Sequence, residues 1–409
     1  MYVLSRCIAA CVCALGLLLP CGAAAQTAAS DPSENARFQY GPLRFTPFVA
    51  ITEIGVDTNV FNQALEPQRD TTATFGPGAE YWVRAGRARI SAKSDVQYNW
   101  FRDFSNQRSL STNNDLKIEF PMTRLTPFVD GIFDHGRVRP GYEIDTRAFR
   151  TDSGVGGGVD VGLTAKTGVR LEAHRRRLKY REDEFYFGNS LQEALNHRTD
   201  SLGLSWRQKL TPLTTFVVLS EYEKEQFDFE ESRDAKGVRV MSGFEFDPFA
   251  LIAGKVFVGF RNFDTIDPLV PNYRGIVANV EANYHARATR FDVIVQRDVD
   301  YSAEMLEPYY LLTDVGVRVT QKITQRWDIV GLASKQWLDY QRIEGLVISE
   351  APSHSDHSYR IGGGVGYLLG NSVRVGVDVA YYKRNSPLAL REYDGLRVGG
   401  SFTYGLTRQ

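Results

Sequence analysis

Apolar and polar residues alternate along most of this chain, and the alternation is clearest near its C-terminus. Between positions 359 and 369, Tyr359, Ile361, Val365, Tyr367 and Leu369 interleave with Arg360, Gly362, Gly364 and Gly366. Gly370-Asn371-Ser372 follows, and then Val373, Val375, Val377, Val379 and Tyr381 interleave with Arg374, Gly376, Asp378 and Ala380. Side chains on a strand point to opposite faces with a period of two, so this pattern predicts a hairpin with one apolar face. The same signature recurs upstream. Ala88, Ile90, Ala92, Val96, Tyr98 and Trp100 oppose Arg89, Ser91, Lys93, Asp95, Gln97 and Asn99. Val155, Val159, Val161 and Leu163 oppose Gly154, Gly156, Gly158, Asp160 and Gly162. From Leu43 onward no segment shows sustained helical periodicity, and the segments with strand periodicity number about sixteen to eighteen. Thr72–Ala85 and Trp327–Tyr340 are the weakest of them, the first interrupted by Pro77 and the second by a slip in alternation.

The connections alternate between short and long. Ala85-Gly86-Arg87, Met122-Thr123-Arg124, Ala165–Gly168, Leu210–Leu213, Asp247–Ala250 and Leu369–Ser372 read as tight turns, whereas Asn62–Arg69, Glu182–Asn196 and Gly345–Asp356 are long and charged. Short turns at one end and long loops at the other are the sequence form of a transmembrane barrel, a constraint that a soluble sandwich does not share. The faces agree: one is apolar with aromatics near strand ends, the other mixes Gly with Arg, Asp, Glu and Asn, as lipid outside and water inside require. Unpaired backbone groups have no water to bond in lipid, so such a sheet must close. The expected fold is all-β: a single closed antiparallel transmembrane β-barrel over residues 43–409, with short periplasmic turns, longer extracellular loops and both barrel ends on the short-turn side.

The N-terminus fits that destination. Arg6 precedes an apolar run from Cys7 to Leu19, and Ala23-Ala24-Ala25 supplies a small-residue cleavage site, so residues 1–25 read as a signal peptide cut after Ala25. Residues 26–42 are a polar periplasmic lead-in. All four cysteines (Cys7, Cys11, Cys13 and Cys21) fall within the signal, leaving the mature barrel without disulfides or thiolate metal sites. The 48 Lys and Arg against 49 Asp and Glu argue against a nucleic-acid binder, which would carry a basic excess. A mean hydropathy of −0.29 is compatible with strands of which one face alone meets lipid.

The last strand carries Arg397, Gly399, Phe402 and Tyr404, which resembles the C-terminal assembly signal of outer-membrane barrels and implies the barrel-assembly machinery as a partner. The chain continues through Gly405-Leu406-Thr407-Arg408-Gln409, whereas that signal stops at an aromatic residue. Near the other end, PFVAITEIGVDTNVFNQ places Asp57, Asn59, Val60 and Phe61 in a strand-following D-x-N-V-F pattern. In this motif and in its repeated strand–turn units the chain resembles the family of putative outer-membrane β-barrel porins. The resemblance implies an outer-membrane barrel in a Gram-negative bacterium, contacting membrane lipid and lipopolysaccharide. Because some members lie in polysaccharide synthesis and export clusters, it also admits export components as partners.

No P-loop, H-E-x-x-H, G-x-S-x-G or Ca-loop pattern is present, so the reading is non-enzymatic and without cofactor or metal. His354 and His357 form H-x-x-H in a long loop and read as solvated histidines. One local charge anomaly stands out, Arg170–Arg181 with the sequence RLEAHRRRLKYR. Alternation turns Arg170, Glu172, His174 and Arg176 inward. Leu178 and Tyr180 then call for a bulge that would turn Lys179 and Arg181 inward as well. This strand is expected either to project above the membrane against anionic lipopolysaccharide, the preferred reading, or to form a constriction that attracts anions. With Arg374 and Asp378 these residues are the pore-lining candidates. Inward glycines such as Gly156 and Gly366 leave space and favour an open lumen. The functional expectation is a porin-like channel for small polar solutes or a polysaccharide. The alternatives are a structural or adhesive barrel with a filled lumen and, behind it, an outer-membrane hydrolase.

Overall fold

The computed structural model describes residues 32–139, 141–247, 250–343, 354–370 and 372–405. The segment read as a signal peptide, its expected cleavage site and the cysteines lie outside these residues, as do residues 344–353 and the chain from Leu406. Eighteen antiparallel strands form one closed barrel. They are β1 (Leu43–Asp57), β2 (Asp70–Ala85), β3 (Ala88–Phe101), β4 (Ser109–Glu119), β5 (Leu125–Val138) and β6 (Ala148–Gly162). Then come β7 (Thr167–Tyr180), β8 (His197–Thr211), β9 (Thr214–Phe227), β10 (Ala235–Phe246), β11 (Ile252–Thr265) and β12 (Tyr273–Ala286). The circuit ends with β13 (Thr289–Tyr301), β14 (Tyr309–Lys322), β15 (Trp327–Gln341), β16 (Ser355–Leu369), β17 (Val373–Asn385) and β18 (Tyr393–Tyr404). Each strand pairs with its sequence neighbours, and β18 pairs with β1 from Val49↔Tyr404 to Asp57↔Arg397, which leaves the sheet no free edge. Where β18 does not reach β1, the short strand Phe38–Tyr40 pairs with Leu43–Phe45.

Both weak segments are strands, for different physical reasons. In β2 the ladder to β3 steps from Phe75↔Tyr98 to Gly78↔Asp95, so pairing lapses around Pro77, which has no N–H to donate. In β15 the backbone register is unbroken from Lys322↔Asp328 to Tyr309↔Gln341. Its irregularity is chemical: Leu338 and Tyr340 face inward and are buried.

The two faces divide as the alternation requires. Val155, Val377 and Ile361 are each about 60% exposed on the outer surface, where lipid covers them, while Gly376 and Ala380 are buried on the inner one. Aromatic side chains band the turn end: Trp206 lies against Phe216, Tyr284 against Phe291, and Trp327 against Tyr367, at centroid separations of 6.1, 6.3 and 4.9 Å. Such girdles sit at the headgroup level. An arginine at Val377 should therefore cost about 2–4 kcal/mol if that site lies near the midplane, whereas asparagine at Asp378 changes a watered face. The folded, heat-modifiable form in membrane fractions should fall sharply for Val377→Arg and little for Asp378→Asn. Equal losses would show the faces to be misassigned.

The β1–β18 seam is built for close approach. A Cβ at Gly55 would lie 2.0 Å from the Val398 carbonyl oxygen, so only glycine fits there. Just before it, both registers of β1 shift between positions 51 and 55, and Glu53 adopts φ 62°. A bulge re-aims one side chain, and here it brings the Glu53 carboxylate to 2.7 Å from Arg397.

Candidate functional site: the lumen and its loop cap

The basic run on β7 is placed differently from the expectation. Its pairings with β6 and β8 show no register shift, so no bulge occurs and Lys179 and Arg181 do not turn inward. Leu178 and Tyr180 themselves face inward, against Ile144, Tyr186, Leu191 and Leu195. Arg170, Glu172 and His174 line the inner wall, and so does Arg176. Neighbouring strands neutralise them. Asp160 lies 2.7 Å from Arg170, Asp130 lies 3.3 Å from His174, and buried Asp152 pairs with Arg176. On the outer face Arg175 and Arg177 bind Asp200 and Asp228 at 2.6 and 2.8 Å, and Arg181 pairs with Asp183. The glycines opposite serve these side chains. A Cβ at Gly156 would fall 1.8 Å from the His174 ring, and one at Gly366 would fall 2.3 Å from the Arg374 guanidinium. Their space is used for wall side chains that lie flat.

At the loop end, residues 141–147 between β5 and β6 fold into the barrel. The single proton of the Tyr142 hydroxyl is shared between the Gln296 side-chain oxygen on β13 at 3.1 Å and an Asp314 carboxylate oxygen on β14 at 3.3 Å. Glu143 is 1% exposed and accepts from the Ser302 hydroxyl and the Ala303 N–H, both at 2.8 Å, with the Arg391 guanidinium 3.4 Å away. Arg384, fully buried at the end of β17, binds Asp356 at 2.6 Å and Asp145 at 3.0 Å, and donates to the Glu143 carbonyl at 2.7 Å. Arg391 also reaches Glu304 and the Tyr340 hydroxyl. Around this ionic centre Ile144 packs with Tyr186, Ala303 and the residues of α1 (Leu191–Leu195), whose N-terminus is capped by the Ser190 hydroxyl. Burial pushes the Glu143 and Asp145 carboxyls above their usual range, against the pull of Arg391 and Arg384 respectively. His354 belongs to this assembly and is not a solvated loop residue. Its side chain is 8% exposed, its ring stacks on Tyr340 at 4.1 Å, and its Nδ1 lies 2.7 Å from Glu307.

Below the cap the inner wall has two characters. Across β8–β13 charge is balanced: Arg239 and Arg261 share Asp298 and Glu223, at 2.6 to 3.0 Å, and Arg207 pairs with Glu245. A cavity of about 290 Å³ lies along this wall, beside Arg170 and Glu172. Across β13–β18 and β1 runs a larger cavity of about 840 Å³, reaching the turn end and lined by seven Lys or Arg and four Asp or Glu residues. Asp292 pairs with Arg290 and Asp328 with Arg374, both at 2.6 Å, and Glu53 pairs with Arg397. Asp378 accepts from the Ser401 hydroxyl at 3.2 Å. Arg318 and Arg360 make no ion pair or side-chain hydrogen bond among the described residues. Above them the cap loop adds Arg139, bonded to the Val60 carbonyl, and Arg147, bonded to Asn99. Burial, with Arg139 beside it, pushes the Arg147 guanidinium down to about 10.

The residues of the D-x-N-V-F pattern form a clamp across the closure seam. Buried Asp57 accepts from the Asn59 N–H at 3.0 Å and the Tyr382 hydroxyl at 2.5 Å. The Asn59 amide donates to the Gln63 and Asp394 carbonyls at 2.8 and 3.1 Å, Val60 is buried, and Phe61 meets Phe104 edge-on. In β18, Arg397 and Gly399 face the lumen, and Phe402 and Tyr404 alternate with them on the outer side. The residues the sequence did not single out are Glu143, Arg384, Arg391, Arg318 and Arg360. None of them belongs to a run or a spaced motif (Arg384 follows one other cation, Lys383), so no local pattern marks them.

Comparison with known proteins follows this geometry. The family described as Putative beta-barrel porin 2 matches residues 136–404. No curated protein matches the chain by sequence. Among solved structures it is similar to the outer membrane protein OpdK from Pseudomonas aeruginosa, with a TM-score of 0.45 at 9% identity over 88% of this chain and 97% of that one. It is also similar to the FrpB iron transporter (F5-1 variant) from Neisseria meningitidis, with a TM-score of 0.43 at 9% identity over 85% of this chain. The siderophore receptor PirA from Pseudomonas aeruginosa gives 0.41 at 9% identity over 88% of this chain and 80% of that one. The chain spans 64% of the neisserial transporter's length.

Proposed function

The chain belongs to the Putative beta-barrel porin 2 family, and from that premise we propose that it is an outer-membrane channel of a Gram-negative bacterium that passes small polar solutes. The observation that carries this reading is the charged cavity of about 840 Å³ that enters the barrel from its turn end, walled by side chains that lipid cannot reach. Its volume falls within the range of about 300–1,000 Å³ common to small-molecule sites. A polysaccharide, the other cargo raised by the sequence, would have to pass as an extended polymer through the cap. The separate cavities under that cap favour a small solute. The role is non-catalytic.

The buried cap favours one rival, a structural barrel whose loop end stays shut. Planar-bilayer recording separates the two. The purified full chain should give discrete conductance steps, rare while the cap is seated and more frequent when it is unseated by substitution. A correctly inserted barrel that is silent both in its native form and with the cap disrupted overturns the channel reading and leaves the filled barrel.

A further inference from the structure

We infer that the lumen wall formed by β14–β18 is a binding site for small organic oxyanions, solutes bearing carboxylate or phosphoryl groups; this deepens the channel reading and rests on it. The argument starts from register. Arg318 pairs with Leu332, Leu332 with Gly362, Gly362 with Ala380, and Ala380 with Arg397, so these five residues form one rung across five strands. All five line the lumen side of β14–β18. The rung has a guanidinium at each end and short or apolar side chains between. Arg360 stands two residues toward the loop end from Gly362, over the middle of the rung. Adjacent strands are about 4.8 Å apart, so Arg360 is about 10 Å laterally from each of the other two arginines. Side chains of arginine length can converge on a solute lying over the small-residue floor.

Charge pairing distinguishes this wall from the rest of the lumen. Every inward arginine discussed on β7–β11 has a carboxylate partner within hydrogen-bond reach, whereas Arg318 and Arg360 have none among the described residues. Arg397 is bound to Glu53, whose place there depends on a bulge with a strained backbone, and Arg139 and Arg147 extend the positive field toward the cap. A planar guanidinium with free N–H groups, held in a narrow water-filled space, recognises an oxyanion bidentately. Such groups left without a protein partner in a cavity lining are complementary to a solute that supplies the charge.

The test uses succinate and its uncharged counterpart succinamide with the full-length barrel, in native form and as the double variant Arg318→Gln/Arg360→Gln. Heat-modifiable migration checks that both are folded. In proteoliposomes succinate should enter at least about tenfold faster than succinamide through the native barrel, and the double variant should reduce that ratio to within about twofold. Titration calorimetry in detergent should show succinate binding to the native barrel that the double variant loses. Equal entry of the two probes, or a preference for succinate that survives the double substitution, overturns the site while potassium chloride conductance keeps the channel reading intact. Succinate binding in detergent by a barrel that conducts nothing upholds the site and overturns the channel.

Discussion

Replacing Arg384 by alanine should unseat the cap and convert rare openings into frequent ones. Arg384 is fully buried and ties β17 to two other parts of the molecule: Asp356 on β16, and the inward loop through Asp145 and the backbone of Glu143. Removing one partner of a buried ion pair costs about 3–5 kcal/mol, because the carboxylates left behind remain desolvated without compensation. The part of that penalty that Asp145 carries falls on the seated loop, since Asp145 regains water when residues 141–147 lift out. At about 1.4 kcal/mol per tenfold, the closed-to-open ratio should drop by at least about a hundredfold. Single-channel recording would show the rise in open probability, and limited proteolysis would show new cleavage near Arg139 and Arg147. Arg384 is the last residue of β17 paired with β18 and the last but one paired with β16, and alanine keeps that backbone pairing, so the heat-modifiable barrel should persist. An unchanged open probability in a folded Arg384→Ala barrel would mean that these contacts do not hold the cap.

The barrel was legible in the sequence because lipid enforces a rule on every strand. Val373 to Tyr381 must alternate, and Pro77 had to mark a lapse in pairing, for reasons that act within a few residues. The lumen obeys no such local rule. Leu178 and Tyr180 looked out of phase only because their inward partners, Ile144 and Leu191, belong to loops whose inward fold no periodicity announces. The dense RLEAHRRRLKYR run looked like the charged feature of the pore, yet Asp152, Asp160, Asp200 and Asp228 answer it from strands and loops on either side. Conversely, Arg318, Arg360 and Arg397 sit alone on three strands, and only the product of four hairpin registers brings two of them onto one rung. Glu53 reaches the lumen through a bulge that alternation alone would have missed.

Acidification should hold the cap shut, and Glu143 should carry much of that dependence. The ionic centre holds the carboxyls of Glu143, Asp145 and Asp356 with the guanidinium groups of Arg384 and Arg391; Glu304 stands at its partly exposed edge, buried Arg233 donates to the Ser302 and Glu304 carbonyls beside it, and His354 lies 3.9 Å from Asp356. Burial outweighs the pull of the nearby guanidinium groups and raises Glu143 and Asp145 above their usual range, so proton uptake relieves the seated cap. When the loop lifts into water, both return to ordinary carboxylate behaviour. The closed state therefore binds more protons than the open one in the window between the ordinary carboxylate pKa and the raised one. Falling pH in that window stabilises the closed state, and rising pH through the raised pKa removes the stabilisation. Each pH unit in the window shifts the closed-to-open ratio by up to about tenfold for each group that titrates. Open probability should decline as the bath is acidified toward the ordinary carboxylate range. Glu143→Gln, neutral at every pH, can accept from the Ala303 N–H through its amide oxygen while its NH2 donates to the Ser302 hydroxyl, and it should be more closed than the native barrel wherever the native Glu143 is ionised. It should also show a shallower pH profile, leaving the part due to Asp145. Opening on acidification, or a profile identical in the native and Glu143→Gln barrels, would place the proton switch elsewhere.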